Sequence, residues 1–179
     1  MKLENQWMRN IEYVLSEAKE KYSIIEYSKV EGDQFLKFPE LGFYFQAAED
    51  GLITAFRIFF TDLDGYFPAS METRGDYADL KSVRDITKAM GEPLKEIPSI
   101  RIPSLAPTCP GLQYLRGGRF VSFYYDERSG VIRFVHVKHE CAFVINEVFC
   151  KCENRVGRRF FSGLILLVIG QNPSSTKDF

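Results

Sequence analysis

The sequence predicts an α+β fold: an antiparallel, sheet-rich protein with an N-terminal helix and a short middle helix. The first observation is the aromatic content, because the 179 residues include 16 Phe, 9 Tyr and 1 Trp, and large flat side chains favour half-buried strands. The second is that strand-like segments flank short turns, which indicates hairpins. The third is the composition, 45% hydrophobic and 26% charged, which is typical of a globular chain with a core and excludes a disordered one.

Two segments are predicted to be helical. Apolar residues recur at helical spacing between charged ones over residues 4–21, which predicts an amphipathic helix with one buried stripe. A second helix, about three turns long, is predicted to begin in the acidic stretch of residues 79–85. It ends at Gly91, just before Pro93.

The remaining patterned segments are extended. In the first half they cover residues 24–25, 35–38, 41–48 and 52–61, and the turn at residues 49–51 makes the last two a hairpin. In the second half, residues 119–126 and 131–138 flank the turn at residues 127–130 and predict another hairpin. Residues 142–149 and 160–169 are predicted as further strands. Adjacent aromatic residues in these strands, such as Phe43 and Tyr44, are expected to point to opposite faces of the sheet.

A single domain of residues 1–179 is the expected organisation. Five of the eight prolines lie between Pro93 and Pro110, so residues 93–111 are expected to run extended on the surface as a connector between two hairpin-based halves, residues 1–92 and 112–179. Aligning Gly51 with Gly130 superimposes the two hairpins at an offset of 79 residues. Either the halves are distant copies or two aromatic hairpins align this well by their generic pattern.

The charge is divided unevenly along the chain. The formal net charge is -1, which excludes a uniformly basic nucleic-acid-binding protein. Residues 1–92 contain 11 Lys and Arg against 17 Asp and Glu, whereas residues 93–179 contain 12 against 7. No apolar leader is visible, and the longest apolar run, six residues from Leu164, is far shorter than the roughly 20 of a membrane-spanning helix. A cytosolic location without membrane association is therefore expected, with free cysteine thiols.

The string Asp62-Leu63-Asp64-Gly65 follows an apolar strand and resembles the first motif of haloacid dehalogenase-type phosphotransferases. This resemblance implies that Asp62 is a nucleophile and Asp64 an acid/base, with Mg²⁺ bridging carboxylate and phosphate. Tyr66 stands where that family usually has Thr, and no later acidic motif follows a strand of its own. The alternative is an acidic turn after a strand, where Asp and Gly are favoured.

Two further clusters contain residue types with known chemistry. The first is a cluster of two histidines and three cysteines, whose imidazoles and thiols are ligands that zinc prefers: His136, His139, Cys141, Cys150 and Cys152. Their spacing matches no common zinc site. The alternative is that the cysteines are half-buried in strands and the histidines lie on the surface. A basic, aromatic stretch could contact a phosphate backbone or form a solvated turn (Arg155, Arg158, Arg159, Phe160 and Phe161). No metal, cofactor or nucleic acid is predicted.

The acidic residues around hairpin ends form the main candidate site. Carboxylates interleaved with exposed Tyr66, Phe67 and Tyr77 suit docking to a basic protein, because charges set the encounter rate while aromatics supply contact area. A solvated acidic edge without a partner is the alternative. The predicted contact residues are Asp62, Asp64, Tyr66, Asp76 and Asp79.

Residues 38–138 carry a series of features that resembles the small bacterial immunity proteins that neutralise cognate toxins, including pyocin-type and contact-dependent systems. The features are the hairpin of residues 41–61, the turn Tyr66-Phe67-Pro68, the helix end Met90-Gly91-Glu92-Pro93, the segment around Tyr114, the string Phe123-Tyr124-Tyr125-Asp126 and the return strand of residues 131–137. The resemblance implies a non-enzymatic, cytosolic protein that occludes a toxin domain, with no catalytic residues. The alternative function is the magnesium-dependent phosphotransferase based on Asp62 and Asp64.

Overall fold

The computed structural model describes residues 2–101, 103 and 106–140. The described strands are Glu26–Val30 (β1), Asp33–Phe38 (β2), Phe43–Ala47 (β3), Ile53–Phe59 (β4), Lys95–Ile97 (β5), Gly111–Arg116 (β6), Arg119–Tyr125 (β7) and Ile132–His139 (β8). They form one antiparallel sheet in the order β1-β2-β3-β4-β8-β7-β6-β5. The α-helices are Ile11–Lys19 (α1), Met71–Arg74 (α2) and Val83–Met90 (α3), and short 3-10 turns cover Leu3–Gln6, Pro39–Leu41 and Gly75–Tyr77. The predicted α+β class is confirmed.

The N-terminal helix is shorter than predicted. It begins at Ile11 because the side chain of Asn10 accepts a hydrogen bond from the backbone N of Glu12 (2.9 Å) and caps it. Before this cap, Arg9 pairs its carbonyl with the N–H of Ile53 (3.0 Å), so the chain there is held against the start of β4 and is not helical. The middle helix is confirmed as α3, with Ser82 and Asp85 forming a capping box. Its eight residues make about two turns rather than the three predicted.

Both predicted hairpins are present, as β3–β4 and β7–β8. The sequence reading missed β1, which is mostly exposed and lacks a clear alternation, and β6, which begins directly after the proline-rich connector. It also missed β5, which lies inside that connector at the edge of the sheet, the position where nearby prolines are tolerated. The strands predicted at residues 142–149 and 160–169 lie outside the described residues.

The two faces of the sheet differ. One, here called the core face, carries the hydrophobic core, which includes Phe45, Phe56 and Phe123 together with Ile11 of α1 and Ile86 of α3. The opposite one, here called the second face, receives the alternate side chains of the same strands. The predicted splitting of adjacent aromatics is confirmed at β3, where Phe43 is in the core and Tyr44 is on the second face.

The two halves of the sheet repeat one arrangement, in which an α-helix precedes four strands that follow one another as an antiparallel meander. Each helix start is joined to the last strand of its half by equivalent backbone hydrogen bonds: Ile11 N to Gly51 O (2.8 Å) and Ile53 N to Arg9 O (3.0 Å), then Val83 N to Gly130 O (2.9 Å) and Ile132 N to Lys81 O (3.1 Å). The last hairpin of each half has a register shift at the corresponding position. The offset of 79 residues seen in the sequence is therefore the structural alignment of β4 with β8. It is wrong for the first strand of each hairpin, because β3 aligns with β7 at an offset of 78 residues, which places Phe45 on Phe123.

Strands β4 and β8 join the halves at the centre of the sheet. In their register Ala55 lies opposite Lys138, Arg57 opposite His136 and Phe59 opposite Phe134. Applying the offset of 79 residues exchanges the outer two pairs and returns the pair of Arg57 and His136 to itself. The halves are thus related by an approximate twofold axis through that central pair, and within the described residues they form one continuous sheet.

Candidate binding face

The acidic string after β4 is a tight hairpin, here called the Asp62–Tyr66 hairpin. Leu63 N donates to Tyr66 O (3.3 Å) and Tyr66 N donates to Leu63 O (2.9 Å). Between them Asp64 and Gly65 both have positive φ, 53° and 82°. Two consecutive residues with positive φ form the type I′ turn that strongly favours Asp-Gly. Backbone geometry alone therefore accounts for the Asp-Gly pair, and it presents the carboxylates of Asp62 and Asp64 to solvent.

Tyr66 anchors this hairpin to the second face. Its ring stacks on Phe59 with centroids 4.0 Å apart, and only 9% of the residue is exposed. Burial raises the pKa of its hydroxyl. The expectation that Tyr66 and Tyr77 are exposed is wrong, because each ring gains more by packing on the sheet than by facing water. Of the three aromatics near the carboxylates, Phe67 is the exposed one, at 60%.

Asp76 and Asp79 lie on the other side of the sheet. The 3-10 turn Gly75–Tyr77 places the ring of Tyr77 against Phe123 of the core face (centroids 5.8 Å apart). Asp76 lines a cavity of about 240 Å³ there, together with Arg74. Both carboxylates are exposed. The five predicted contact residues thus divide between the two sides, and only Asp62, Asp64 and Tyr66 are brought together.

The exposed carboxylates are available for binding. Among the described residues no salt bridge involves Asp62, Asp64, Asp76 or Asp79. In the same part of the chain, no group of three His, Cys, Asp or Glu side chains is arranged to hold a metal ion. The phosphotransferase hypothesis for Asp62 and Asp64 stays a prediction, to be tested by activity.

The two histidines of the proposed zinc cluster point to opposite faces. His139 lies on the core face, with its ring 5.8 Å from that of Trp7, whereas His136 lies on the second face beside Arg57. An odd separation along a strand dictates this. His136 is also half-buried rather than on the open surface. The cysteines Cys141, Cys150 and Cys152, and the basic stretch with Arg155, Arg158 and Arg159, lie outside the described residues.

Six aromatic rings cross the second face and are here called the aromatic ladder. They come from five strands and the hairpin, and neighbouring centroids are 4.0 to 6.2 Å apart: Phe35, Tyr44, Phe59, Tyr66, Phe134 and Tyr124. Burial raises the pKa of Tyr44, of Tyr66 and of Tyr124. The hydroxyls therefore stay protonated at neutral pH. A patch of this composition is typical of the centre of a protein interface, where Tyr and Arg are enriched.

Arg57 projects into the middle of this ladder. Its guanidinium carbon lies 4.5 Å from the ring centroid of Phe134 and 5.2 Å from that of Tyr44, so it is in cation–π contact with both. Among the described residues no carboxylate pairs with it. Its Nε is fully buried without a hydrogen-bond partner. An arginine enclosed in this way is normally paired, so its donors call for an acceptor.

His136 faces Arg57 across the central strand pair. Its Nδ1 is also buried without a partner. Burial, followed by the nearby charges of Arg57 and Lys138, lowers the pKa of His136 to about 3. The imidazole is therefore neutral at physiological pH and can accept or donate a hydrogen bond, but it does not neutralise the arginine.

The sequence pattern alone assigns no role to Arg57. A signal was present, because β4 contains an arginine among mostly apolar residues, with Phe56 and Ile58 on either side of it. An arginine at a central strand position must either be paired or lie beside aromatic rings. Which of these holds for Arg57 depends on the residues of the neighbouring strand. The sequence does not reveal that this neighbour of β4 is β8.

Comparisons with known proteins add little. No protein-family model matches the chain, and no curated protein matches it. Among solved structures it is similar to a DUF4309 family protein, YjgB, from Bacillus subtilis subsp. subtilis str. 168, with 13% identity and a TM-score of 0.36 over 65% of both chains. It is also similar to an extracellular protein containing a SCP domain from Bacillus anthracis str. Ames, with 13% identity and a TM-score of 0.48.

A third similar structure is a cysteine-rich secretory protein from Staphylococcus aureus subsp. aureus Mu50, with 9% identity and a TM-score of 0.47. The match covers 80% of this chain in the last two cases but only 47% and 48% of those proteins, so the chain spans about half their length. All three scores are below 0.5, and these likenesses carry no information on function. Among the described residues, the longest helices are too short and too polar to cross a membrane.

Proposed function

We propose that this chain is a non-enzymatic binding protein of the toxin-neutralising immunity type, which acts in the cytosol by occluding the active surface of a basic toxin domain. The observation that carries the proposal is the Asp62–Tyr66 hairpin. It holds two exposed carboxylates, with which no described residue forms a salt bridge, on a tight turn, and the stacking of Tyr66 on Phe59 fixes that turn to the sheet. A pre-organised acidic loop loses little conformational entropy on binding.

The charge of the hairpin suits the proposed partner. A nuclease toxin must be basic where it contacts phosphate, so an acidic surface competes for that site and accelerates encounter. Asp64 also acts on the second face, since its charge adds to the effect of burial, the main cause, in raising the pKa of Tyr44. The hairpin therefore borders the aromatic ladder, whose partly exposed rings offer contact area next to the charges (Phe35, Tyr44, Tyr124 and Phe134).

The test is a growth assay followed by binding kinetics. The product of the gene directly beside this one is expressed alone and together with the chain, and growth is expected to be lost in the first case and restored in the second. The double variant Asp62→Lys with Asp64→Lys is expected to lower the association rate constant at least about 10-fold and to flatten its dependence on salt. A neighbouring product that is harmless, or that stays toxic with the chain present, contradicts the proposal.

A matched charge control separates the hairpin from net charge. Glu92 and Glu96 are exposed and lie at the β5 edge, so Glu92→Lys with Glu96→Lys changes the net charge equally. This control is expected to change the association rate constant less than about 2-fold at physiological salt. Magnesium-dependent hydrolysis of an aryl phosphate that disappears in Asp62→Asn would instead identify a phosphotransferase.

A further inference from the structure

We propose that Arg57 binds a carboxylate side chain of the protein partner, as the central anchor of a docking site on the second face. This inference rests on the proposed function, because it takes the occupant to be a protein. It adds a second chemical requirement for that partner. Its contact surface must present an acidic residue to Arg57 beside the basic residues that meet Asp62 and Asp64.

The first step of the argument is the missing counter-ion. The charged groups around Arg57 on the second face are Lys138 on β8, Asp64 in the hairpin, whose charge also acts on Tyr44, and, two strands away, Lys37, which is paired with Glu26 (3.5 Å). His136, opposite Arg57, is neutral. Of the residues described, none forms a salt bridge with Arg57. The positive charge at the centre of the ladder is therefore left for a partner to neutralise.

The second step is the geometry of the guanidinium. Arg57 is half-buried and its Nε is enclosed, and within the described part of the chain its two Nη groups make no hydrogen bond. Tyr44 and Phe134 hold the planar group in place through their rings, 5.2 and 4.5 Å from its carbon. A guanidinium fixed in this way offers parallel N–H donors that match a carboxylate bidentately.

The third step concerns the kind of occupant. The site lies on a sheet face, where Tyr44, Arg57 and Phe134 are each partly exposed, and it is bordered by the Asp62–Tyr66 hairpin. Aromatic rings around one arginine are the composition of interface hot spots, in which surrounding contacts exclude water from a central charged pair. Charge complementarity then selects a partner whose side chain at this point is Asp or Glu.

The experiment is an NMR titration with a defined probe, an octapeptide of alternating glutamate and glycine, at low ionic strength. The side-chain Nε–H signal of Arg57 is expected to shift, with an affinity that falls at least about 10-fold in Arg57→Gln and at least about 5-fold in Arg57→Lys, which keeps the charge but not the fork. The Arg57→Lys variant also covers the case in which Arg57→Gln fails to fold. Arg128→Gln, an exposed arginine in the β7–β8 turn, is the matched control and is expected to change the affinity less than about 2-fold.

The other outcomes each overturn the proposal. Equal weakening in Arg128→Gln means that net charge alone attracts the peptide. A larger Nε–H shift with inorganic phosphate than with the glutamate peptide means that the site takes phosphate. A glutamine peptide that binds equally well means that no carboxylate is recognised. Because the peptide is independent of any toxin, a failed growth assay with intact peptide binding rejects the immunity function and leaves the Arg57 site standing.

Discussion

The two halves of the sheet have the same arrangement of backbone elements but different side chains at equivalent positions. On the core face the equivalent positions stay apolar while their size changes: Phe45 corresponds to Phe123, and Phe56 of β4 corresponds to Val135 of β8. On the second face the equivalents differ in chemistry, since Tyr44 corresponds to Ser122 and Phe59 to Lys138. On the core face, packing requires only that the side chains are apolar and fill the available volume. The side chains on the second face are not held to this requirement, so their chemistry differs between the halves.

The difference between the halves is largest at the pair of residues that lies on the twofold axis. Arg57 and His136 are equivalent residues that lie opposite each other, yet one is a permanent cation and the other is held neutral by burial. The ladder is likewise asymmetric, because four of its rings come from the first half and two from the second. A repeated backbone thus supports a single, directional surface, with the acidic hairpin at one border of it.

The largest expected effect tests whether the halves are energetically one unit. Phe45→Ala and Phe123→Ala remove equivalent, fully buried rings, and each is expected to lower the free energy of unfolding by about 3–5 kcal/mol. Because β4 and β8 join the halves, both variants are expected to shift one common unfolding transition to lower urea. Fluorescence of the single tryptophan and far-UV circular dichroism measure this.

Trp7 is a suitable reporter because it contacts Phe56 of the first half and His139 of the second (centroids 4.9 and 5.8 Å away). Phe67→Ala serves as control, since that ring is 60% exposed and its loss is expected to change stability by less than about 0.5 kcal/mol. Two separate transitions in Phe123→Ala, with the tryptophan signal unmoved, would show that the halves unfold independently.

Much of the fold was predictable because it depends on local patterns. The two hairpins follow from alternation and turn residues, and α3 follows from its spacing and its serine cap. The first helix was overestimated, because the spacing of apolar residues continues through Trp7 while the chain there pairs with β4 instead. That pairing is a long-range contact, and a local pattern carries no information about it.

The next largest effect on stability is expected in the connections between the second and third strand of each half. Gly42 (φ +71°) ends the 3-10 turn Pro39–Leu41, and a Cβ there would overlap the backbone O of Phe67 and lie 2.5 Å from the N of Ala69. Gly117 (φ +56°) occupies an open turn with nothing within 4 Å of its Cβ position. Gly42→Ala is expected to lower the free energy of unfolding by about 2–5 kcal/mol, and Gly117→Ala by about 1–2 kcal/mol from backbone strain alone.

A structural readout accompanies the stability measurement. Gly42 O accepts from Phe59 N (2.8 Å), and Ala69 N donates to Phe59 O (2.8 Å), so the overlap strains the segment that follows the Asp62–Tyr66 hairpin. The backbone amide signals of that hairpin are expected to shift in Gly42→Ala but not in Gly117→Ala. Equal costs for the two variants, with the hairpin signals unchanged, would contradict the close packing of this connection.

The candidate site was less predictable than the fold. Asp62 and Asp64 were correctly placed in an exposed turn, because Asp-Gly is a local signal. Asp76 was grouped with them by sequence distance, whereas the chain crosses to the other side of the sheet before reaching it. Arg57 gained significance only once strand order placed Phe134 and His136 next to it.

The smallest effect on stability is expected from removing the equivalent caps of the helices α1 and α3. Asn10 accepts from Glu12 N (2.9 Å), and Ser82 accepts from Asp85 N (3.3 Å), so Asn10→Ala and Ser82→Ala are each expected to lower the free energy of unfolding by about 1 kcal/mol. The caps differ in one respect. The Asp85 carboxylate accepts from Ser82 N (2.9 Å) and Ser82 Oγ (2.8 Å), which lowers the pKa of Asp85, whereas Asn10 contains no titrating group.

The sign of the pH dependence follows from that lowered pKa. A carboxyl whose folded pKa lies below its unfolded value, about 3.9, contributes stability above that value and loses it as the pH falls through the folded pKa. The cost of Ser82→Ala is therefore expected to shrink between about pH 7 and about pH 3, while that of Asn10→Ala stays constant. Urea unfolding of both variants and of the unmodified chain at the two pH values measures this. A parallel decline in both costs would mean that acid weakens the whole sheet, and that the capping box of α3 contributes nothing that its counterpart at α1 lacks.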